Sequence, residues 1–594
     1  MRGPRLLLGA AGVLAASAAL CGGCSVLFHA DADQCSTSSD CAARGASFAG
    51  YTCAGGTCVA PVATVTPEGG VDANPGCVSN ADCAPTPTAA AEGHLEVACD
   101  VDTHACLQLT SNECPYVIGD YTGKTAPPIF LGAFATFPTS DPTSHPSYLN
   151  YAFALNEFDV TSSGVPAGLG TGRRMPVAVA CDDGLDTTGL GTAMMHLIND
   201  VHVPSIVAAL PSAELSQVFT TYASKATSDI FVINPFSADS NLTSLTTSGL
   251  LWSMLGQPGD VAPAYAAFLP VLETYVRTSP LWNLGSTAPM KIATVTANAT
   301  DLDDLASAVE PVLVWNGGQS TTLDTSNYLS VVLSDSTLNG TAVADIDVSD
   351  AEAAILQFQP QVIVSFASEE FFALMSKLEI DWPNSPPGSS FSYPPFYLVG
   401  SYNMGSTTLQ TDLQIPYRVS LRQRVAGVGV ASSSNDQVLN QYNQDFVSYL
   451  DATTSQQDLG QENYYDAMYF AVYSLVAAGR NVSPTGSDIA QGMLDLISPS
   501  ATPYNVGPSD QGNVFTALGQ RGQISLVGTL GPPDFNVFNG ARVGQGDVYC
   551  LEQDDGGVYD YEYDVLRLTN ADGGPGPDGG SALQGTFPCY SGIQ

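Results

Sequence analysis

The chain has 594 residues, with 17 Lys+Arg against 58 Asp+Glu and a formal net charge of −41. That acidity excludes a nucleic-acid partner, whose capture rests on clustered Lys and Arg, and argues against a polybasic membrane patch. A hydrophobic fraction of 44% beside a charged fraction of 13% describes a folded chain covered by uncharged polar side chains, not a disordered polyelectrolyte.

Residues 1–24 read as an export signal. Arg2 and Arg5 form a basic start, and Leu6 to Leu20 is an apolar run too short for a stable bilayer span. Gly22-Gly23-Cys24 resembles a bacterial lipobox, which makes Cys24 the expected lipidation site. Cys21 stands where that pattern carries Leu, and as an acceptor it would leave Leu20 at the cleavage site; ordinary cleavage is the other alternative. No later stretch reaches about 20 uninterrupted apolar residues, so no further membrane span is expected.

Of the 14 cysteines, eight fall into two similar modules. The first is Cys35-x5-Cys41-x11-Cys53-x4-Cys58, and the second is Cys77-x5-Cys83-x15-Cys99-x6-Cys106. An Asp directly precedes the second cysteine of each, and Leu, Ile and Phe are scarce. Such a stretch buries little core, so two disulfides per module are expected to supply its order. Zinc would need C-x2-C or Cys/His spacing, which is absent. Cys114, Cys181, Cys550 and Cys589 remain, with three connectivities open.

From about Ala126 the texture changes to βα units. Strand-like runs at Pro128–Ala135, Val177–Cys181, Ser205–Leu210 and Ile230–Ile233 alternate with helices. One helix carries Leu190, Met194, Leu197 and Ile198 on one face; another carries Leu215, Val218, Phe219 and Tyr222. The pattern restarts with strands at Lys291–Thr296, Leu329–Leu333, Gln361–Phe366 and Phe396–Val399. Ser349-x-x-Glu352 reads as a capping box opening a helix, and a strong helix runs from about Asn463 to Gly479. Two such sets predict two α/β lobes with parallel sheets, whose default ligand site is the gap between them, at the carboxyl ends of the strands.

These residues resemble a known family. Tyr151 to Glu157 followed by Met175–Asp183 is similar to the first helix and second strand of type I periplasmic solute-binding proteins, in their branched-chain amino-acid-binding branch. Asp200–Ser212 resembles that family's next strand and turn, and Tyr464-Tyr465-Asp466-Ala467 its late "YDA" helix. The match spans roughly 115–550 in the family's order. The resemblance implies two Rossmann-like lobes joined by three crossovers; the cysteine spacing puts small disulfide-rich modules before them. The expected organisation is a signal at 1–24, a cysteine-rich region at 25–110 and a bilobal domain at 111–594. Lobe one takes about 115–245 and 435–520; lobe two takes about 246–434 and part of 521–594.

The resemblance also implies ligand contacts. On lobe one, Ser212-Ala213 and Ser237-Ala238 match turns that hold a carboxylate with hydroxyls and N–H groups, a task suited to a helix N-terminus without Lys or Arg. Ser212 equally suits a cap on its own helix. On lobe two, Phe366, Ser368, Glu369, Tyr402 and Asn403 occupy positions where the family places an aromatic and an amine-pairing acid. Ala297–Thr300 departs from the family's Tyr-Gly turn, and no acid stands at Tyr402 or Asn403, so the ligand need not be an amino acid. Glu369 and Glu370 also suit the first turn of a helix.

Asp182 and Asp183 project to opposite faces of a strand end, which disfavours a shared metal or proton, and a helix cap falls near Asp186. The acids at 554–555 and 572–578 form no EF-hand pattern. With no P-loop, nucleophile elbow or catalytic constellation, no enzyme activity, cofactor or metal is expected, and His196 reads as structural. The leading expectation is a lipid-anchored envelope protein that captures a small polar solute for uptake through a membrane permease complex, or for sensing. The alternative is a surface adhesion or scaffold protein that uses the cysteine modules and has a vestigial cleft.

Overall fold

A computed structural model describes residues 52–54, 57–59, 76–569 and 582–584. Outside that description lie 123–126, 138–144, 167–171, 227–228, 321–325, 334–344, 383–392, 401–405, 415–420, 431–435, 451–461, 480–483, 554–558 and the single residues 238, 246, 280, 281, 283, 299 and 545. The chain divides into two units, Met1–Asn74 and Pro75–Gln594.

In the first unit, Thr52–Ala54 pairs antiparallel with Thr57–Val59, placing Cys53 opposite Cys58. Cys24, Cys35 and Cys41 lie outside the described residues. The second cysteine module belongs to the second unit. Its disulfides are Cys77–Cys99 and Cys83–Cys106, across a hairpin in which Cys99 faces Cys106. These bonds are not its only support: Ala98, Leu107 and Leu109 are buried in the same core as the first sheet, and Arg174 Nη1 donates to Asp102 Oδ2 at 2.8 Å. His196 is buried, with Nε2 3.0 Å from the Leu109 carbonyl and Nδ1 3.0 Å from Asp200, a structural post between module and lobe. Of the four remaining cysteines, Cys114 is bonded to Cys181, and Cys550 is also disulfide-bonded.

The apolar runs form strands buried on both faces, as parallel sheets require. In lobe one these are β1 (Tyr116–Ile118), β2 (Pro128–Ala135), β3 (Arg173–Asp182), β4 (Ser205–Ala208), β5 (Phe231–Asn234) and β6 (Leu251–Gly256). They alternate with α1 (Pro146–Ser162), α2 (Thr187–Asn199), α3 (Ser212–Thr221) and the short α4 (Ser240–Thr243). After the crossover, α5 (Pro258–Thr278) opens lobe two. Strands β7 (Ile292–Ala297), β8 (Tyr328–Leu333), β9 (Val362–Phe366), β10 (Phe396–Gly400) and β11 (Val425–Val430) follow, with α6 (Thr300–Val309), α7 (Asp345–Phe358) and α8 (Glu369–Asp381) between them. The chain returns to lobe one as α9 (Asp436–Tyr449), α10 (Glu462–Ala478), β12 (Phe535–Asn536) and β13 (Ala541–Arg542). It ends in lobe two as β14 (Gly546–Gln553), β15 (Tyr559–Thr569) and β16 (Ala582–Gln584).

The first sheet runs β12-β13-β6-β5-β4-β2-β3-β1 and the second β8-β7-β9-β10-β11-β14-β15-β16. In each, the five consecutive βα strands are mutually parallel, in order 2-1-3-4-5, with antiparallel strands only toward the edges. Separate apolar clusters fill the two lobes: one surrounds the first sheet, and two others pack on the second. The expected pair of α/β lobes with three crossovers is therefore present, the chain passing between the sheets after β6, β11 and β13.

Several sequence expectations differ from the structure. Leu251–Gly256 and the strands at 535–542 join the first sheet, so lobe one reaches Gly256 and reclaims much of 521–542. The supposed capping box at Ser349 lies inside α7, which begins at Asp345, so Ser349 cannot cap it; its hydroxyl instead accepts from Lys377 Nζ. Val425–Val430, whose two glycines disguise it, is a strand of lobe two.

Two crossovers run side by side. A Cβ on Gly256 would stand 2.5 Å from the Gly544 Cα, closer than packed atoms tolerate. The Asp260 carboxylate ties the same place together, accepting from Gln257 N at 2.8 Å and Gly544 N at 3.2 Å. Gly544→Ala is expected to destabilise the protein by roughly 1–3 kcal/mol through overpacking, measured by urea unfolding. Alanine at Gly259, where a Cβ meets nothing within 4 Å, should leave stability unchanged or improved.

Candidate functional site

The carboxyl ends of the two parallel sheets carry the turns that precede the helices, and these rims meet. Ser240, opening α4 after β5, donates its N–H to Asp304 Oδ2 at 2.8 Å and its hydroxyl to Oδ1 at 2.9 Å. Asp304 lies on α6, the helix after β7, so this pair bridges the rims of the two lobes.

On the lobe-one rim, Ser212 is the first residue of α3 and is buried, with Ala213 exposed beside it. Pro211 occupies the cap position and supplies no side-chain hydrogen bond to the helix. Capping, the bland role for Ser212, is thus not the position it holds. Pro211 therefore offers no side-chain acceptor to the first-turn N–H groups, and the helix dipole adds partial positive charge there. Ser237 is committed differently: its N–H donates to Asn234 Oδ1 at 2.9 Å and its hydroxyl to the Leu210 carbonyl at 2.8 Å. It ties the turn after β5 to the turn after β4. Ala238 lies outside the described residues.

Phe236, which the sequence reading passed over, is 47% exposed in that same turn, held by an N–H bond to Asn234 Oδ1. Composition alone offers no signal for it, because Asn-Pro-Phe-Ser reads only as a turn.

On lobe two, Phe366 is fully buried, 5.9 Å from the Tyr265 ring, so it supports the rim from within the core. Ser368 precedes α8, and its N–H donates to Glu370 Oε1 at 2.7 Å, the first-turn arrangement anticipated for an acid there. The Glu369 side chain, Tyr402 and Asn403 lie outside the described residues.

The paired acids separate as strand geometry demands. Asp182 Oδ1 accepts from Gly184 N at 2.9 Å, whereas Asp183 Oδ2 accepts the Thr136 hydroxyl at 2.7 Å. Burial raises the Asp183 carboxyl to about 6. Asp186 caps α2, accepting from Gly189 N at 2.8 Å. The sulfurs of Cys77, Cys83 and Cys106 gather within 4.8 Å, but each is tied in a disulfide and offers no thiolate to a metal. Among the described residues, no helix is long and apolar enough to cross a membrane.

The stretches that carry the family resemblance meet inside lobe one. Tyr465 and Tyr469 of α10 each donate a hydroxyl to Glu157 Oε2 of α1 at 2.6 Å. The Asp466 carboxylate accepts from Thr529 N at 3.0 Å and Leu530 N at 3.2 Å. These residues are buried anchors that hold the returning chain on the first lobe; they are not ligand contacts.

No known protein-family description matches this chain, and no curated protein matches it. Solved structures do. A possible leucine/isoleucine/valine-binding protein from Rhodopirellula baltica SH 1 is 13% identical, with 75% of this chain and 98% of that one covered and a TM-score of 0.50. A solute-binding protein of an ABC transporter from R. palustris, in complex with 4-hydroxybenzoate, is 13% identical over 76% and 98% of the two chains, TM-score 0.49. A leucine-binding protein from Thermotoga maritima MSB8 is 14% identical over 73% and 97%, TM-score 0.47. The shared property is the fold: the mixed α/β, two-lobed architecture of type I periplasmic-binding proteins.

Glu157 yields a pH prediction. Burial, partly offset by the two phenols, raises its carboxyl from 4.5 to about 7. Folding therefore favours the protonated acid: that contribution is complete below the unfolded value and is lost as pH rises through about 7. Glu157→Gln keeps an oxygen for both tyrosines without the titration. Between about pH 5 and about pH 8, the wild type should lose up to about 3 kcal/mol relative to the variant in paired urea melts. Parallel curves would refute the assignment.

Proposed function

We propose that the chain is an exported binding protein that captures a small polar solute, an amino acid or a related carboxylate or amide, between its lobes. The observation that carries this is the first turn of α3: Ser212 and Ala213 open a helix at the cleft rim behind a proline that gives no side-chain cap. Backbone donors and a helix dipole suit an anionic or carbonyl group without any Lys or Arg. The mechanism is hinge closure without covalent chemistry, the solute bridging both rims and selecting the closed arrangement. Lipidation at Cys24 would hold the protein at the cell envelope, and a membrane permease complex would receive the solute in the uptake version of this role.

A thermal-shift screen against amino acids, small carboxylates, amides and sugars tests the reading. A true ligand at a hundredfold excess over its Kd should add about 2.7 kcal/mol of stability. Silence across the whole panel would sink it. With the best responder, Ser212→Ala should weaken binding about tenfold in calorimetry and leave the unliganded melting temperature within error. Asp304→Ala removes the bond between the rims, so it should lower affinity roughly two- to tenfold and enlarge the unliganded particle in small-angle scattering.

A further inference from the structure

The two disulfides of the second cysteine module differ in exposure. Cys77–Cys99 is buried, at 5% and 1%, whereas Cys83 is half-buried and Cys106 exposed. The sulfurs of Cys77, Cys83 and Cys106 nevertheless lie within 4.8 Å of one another, so the open bond rests against the near sulfur of the covered one. Across the hairpin, Cys99 faces Cys106. Directly opposed residues of antiparallel strands have Cα atoms about 4.5–5.5 Å apart, a span that a disulfide bridges. The first module repeats this placement, with Cys53 opposite Cys58. Each of the four sulfurs thus has a second partner within reach: Cys83 for Cys77, and Cys106 for Cys99.

Hydrogen bonds also hold the module in register, independently of its disulfides. Cys77 N–H donates to the His104 carbonyl at 3.0 Å, and Cys99 N–H donates to Asn80 Oδ1 at 2.9 Å. Asp82 Oδ2 accepts from Val78 N at 2.9 Å and Ser79 N at 2.8 Å, which fixes the turn that carries Cys83. A thiolate released at Cys83 therefore stays beside Cys77. Asp82, Glu92, Glu96, Asp100 and Asp102 lie in the same stretch, which contains no Lys or Arg; Arg174 pairs with Asp102. That field repels an anionic reagent and favours a neutral or cationic one.

We propose that Cys83–Cys106 is a thiol-exchange site that takes a small neutral or cationic thiol and passes the exchange on to the buried bond. The attacking thiolate bonds to the exposed Cys106 sulfur, and the Cys83–Cys106 bond breaks with its electron pair left on Cys83. The Cys83 thiolate attacks Cys77, forming Cys77–Cys83 and expelling the Cys99 thiolate. Cys99 attacks Cys106 across the hairpin, forming Cys99–Cys106 and releasing the original thiolate. Two disulfides stand before and after, so no oxidant or reductant is consumed. The covalent ties between the 76–92 segment and the hairpin become ties within each. This site does not depend on the solute-binding reading.

Disulfide mapping of the purified full chain by mass spectrometry tests the proposal. Cleavage before Asp82, Asp100 and Asp102 and after Glu92 and Glu96 separates the four cysteines. With a substoichiometric amount of cysteamine, Cys77–Cys83 and Cys99–Cys106 should appear in roughly a tenth of the molecules or more, while the buried Cys114–Cys181 bond stays intact. At equal thiolate concentration, the anionic 2-mercaptoethanesulfonate should act on the order of tenfold more slowly, and high salt should narrow the gap. Cys106→Ser isolates the internal step: alkylation with iodoacetamide should label both Cys83 and Cys99. Unchanged pairing in the wild type, scrambling that includes Cys114–Cys181, or label confined to Cys83 would overturn the relay. Equal rates for the two thiols at low salt would overturn the choice of thiol class. If the serine variant fails to fold, the wild-type map decides.

Discussion

The lobes are held to one another by chain passing at backbone contact. Gly256, leaving β6, and Gly544, approaching β14, lie so close that neither has room for a side chain. The Asp260 carboxylate, whose pKa burial raises, clips both segments by accepting N–H groups from each. Each lobe has its own apolar core, so their relative position is set mainly by these crossovers and by the contact between the rims. A narrow junction, where two crossovers touch backbone to backbone between two independently packed bodies, is the geometry in which a small dihedral change becomes a large displacement at the rim.

Crossing three times has a cost in specification, because each lobe must be closed by segments hundreds of residues apart. Buried polar anchors meet that need. In lobe one, α10 is buried on nearly every side, and Tyr465, Tyr469 and Asp466 lock it to Glu157 and to the Thr529–Leu530 turn. Gly528 is required there, since any Cβ would collide with the Asp466 carboxylate. In lobe two, Arg424 pairs with Glu379 and donates to the Pro395 carbonyl, joining the approach to β11 with α8. Each anchor penalises a misregistered return of the chain by stranding a buried polar or charged group.

Much of the fold was legible because parallel strands buried on both faces leave continuous apolar runs. Pro128–Ala135 was readable to the residue for that reason. Leu251–Gly256 was not, because a short apolar run before a long helix has no periodicity to mark it as strand. Val425–Val430 escaped because its glycines mimic a loop. The Ser349 pattern misled because S-x-x-E also occurs inside helices, where the preceding turn already satisfies the backbone. The site was less legible still. Ser237 and Ser212 look alike in sequence, yet one has spent both donors on neighbouring turns and the other opens a helix whose cap residue gives no side-chain bond. The difference lies in Asn234 and Pro211, and it arises only when strands β4 and β5 stand side by side.

The charge balance constrains how such a cleft can shut. The strongly acidic lobes repel one another, and several of the few basic side chains are consumed inside them. Arg174 is held by Asp102, Arg277 by Glu273 and Arg424 by Glu379, while Arg542 donates to the Leu530 and Pro532 carbonyls. Opposite charges are therefore scarce as a means of joining the rims. The contact between the rims reflects this: the Asp304 carboxylate reaches across to a backbone N–H and a serine hydroxyl, neutral donors that need no partner cation. Such a bond offsets little of the long-range repulsion. Contacts between the rims themselves therefore supply little of the drive for closure.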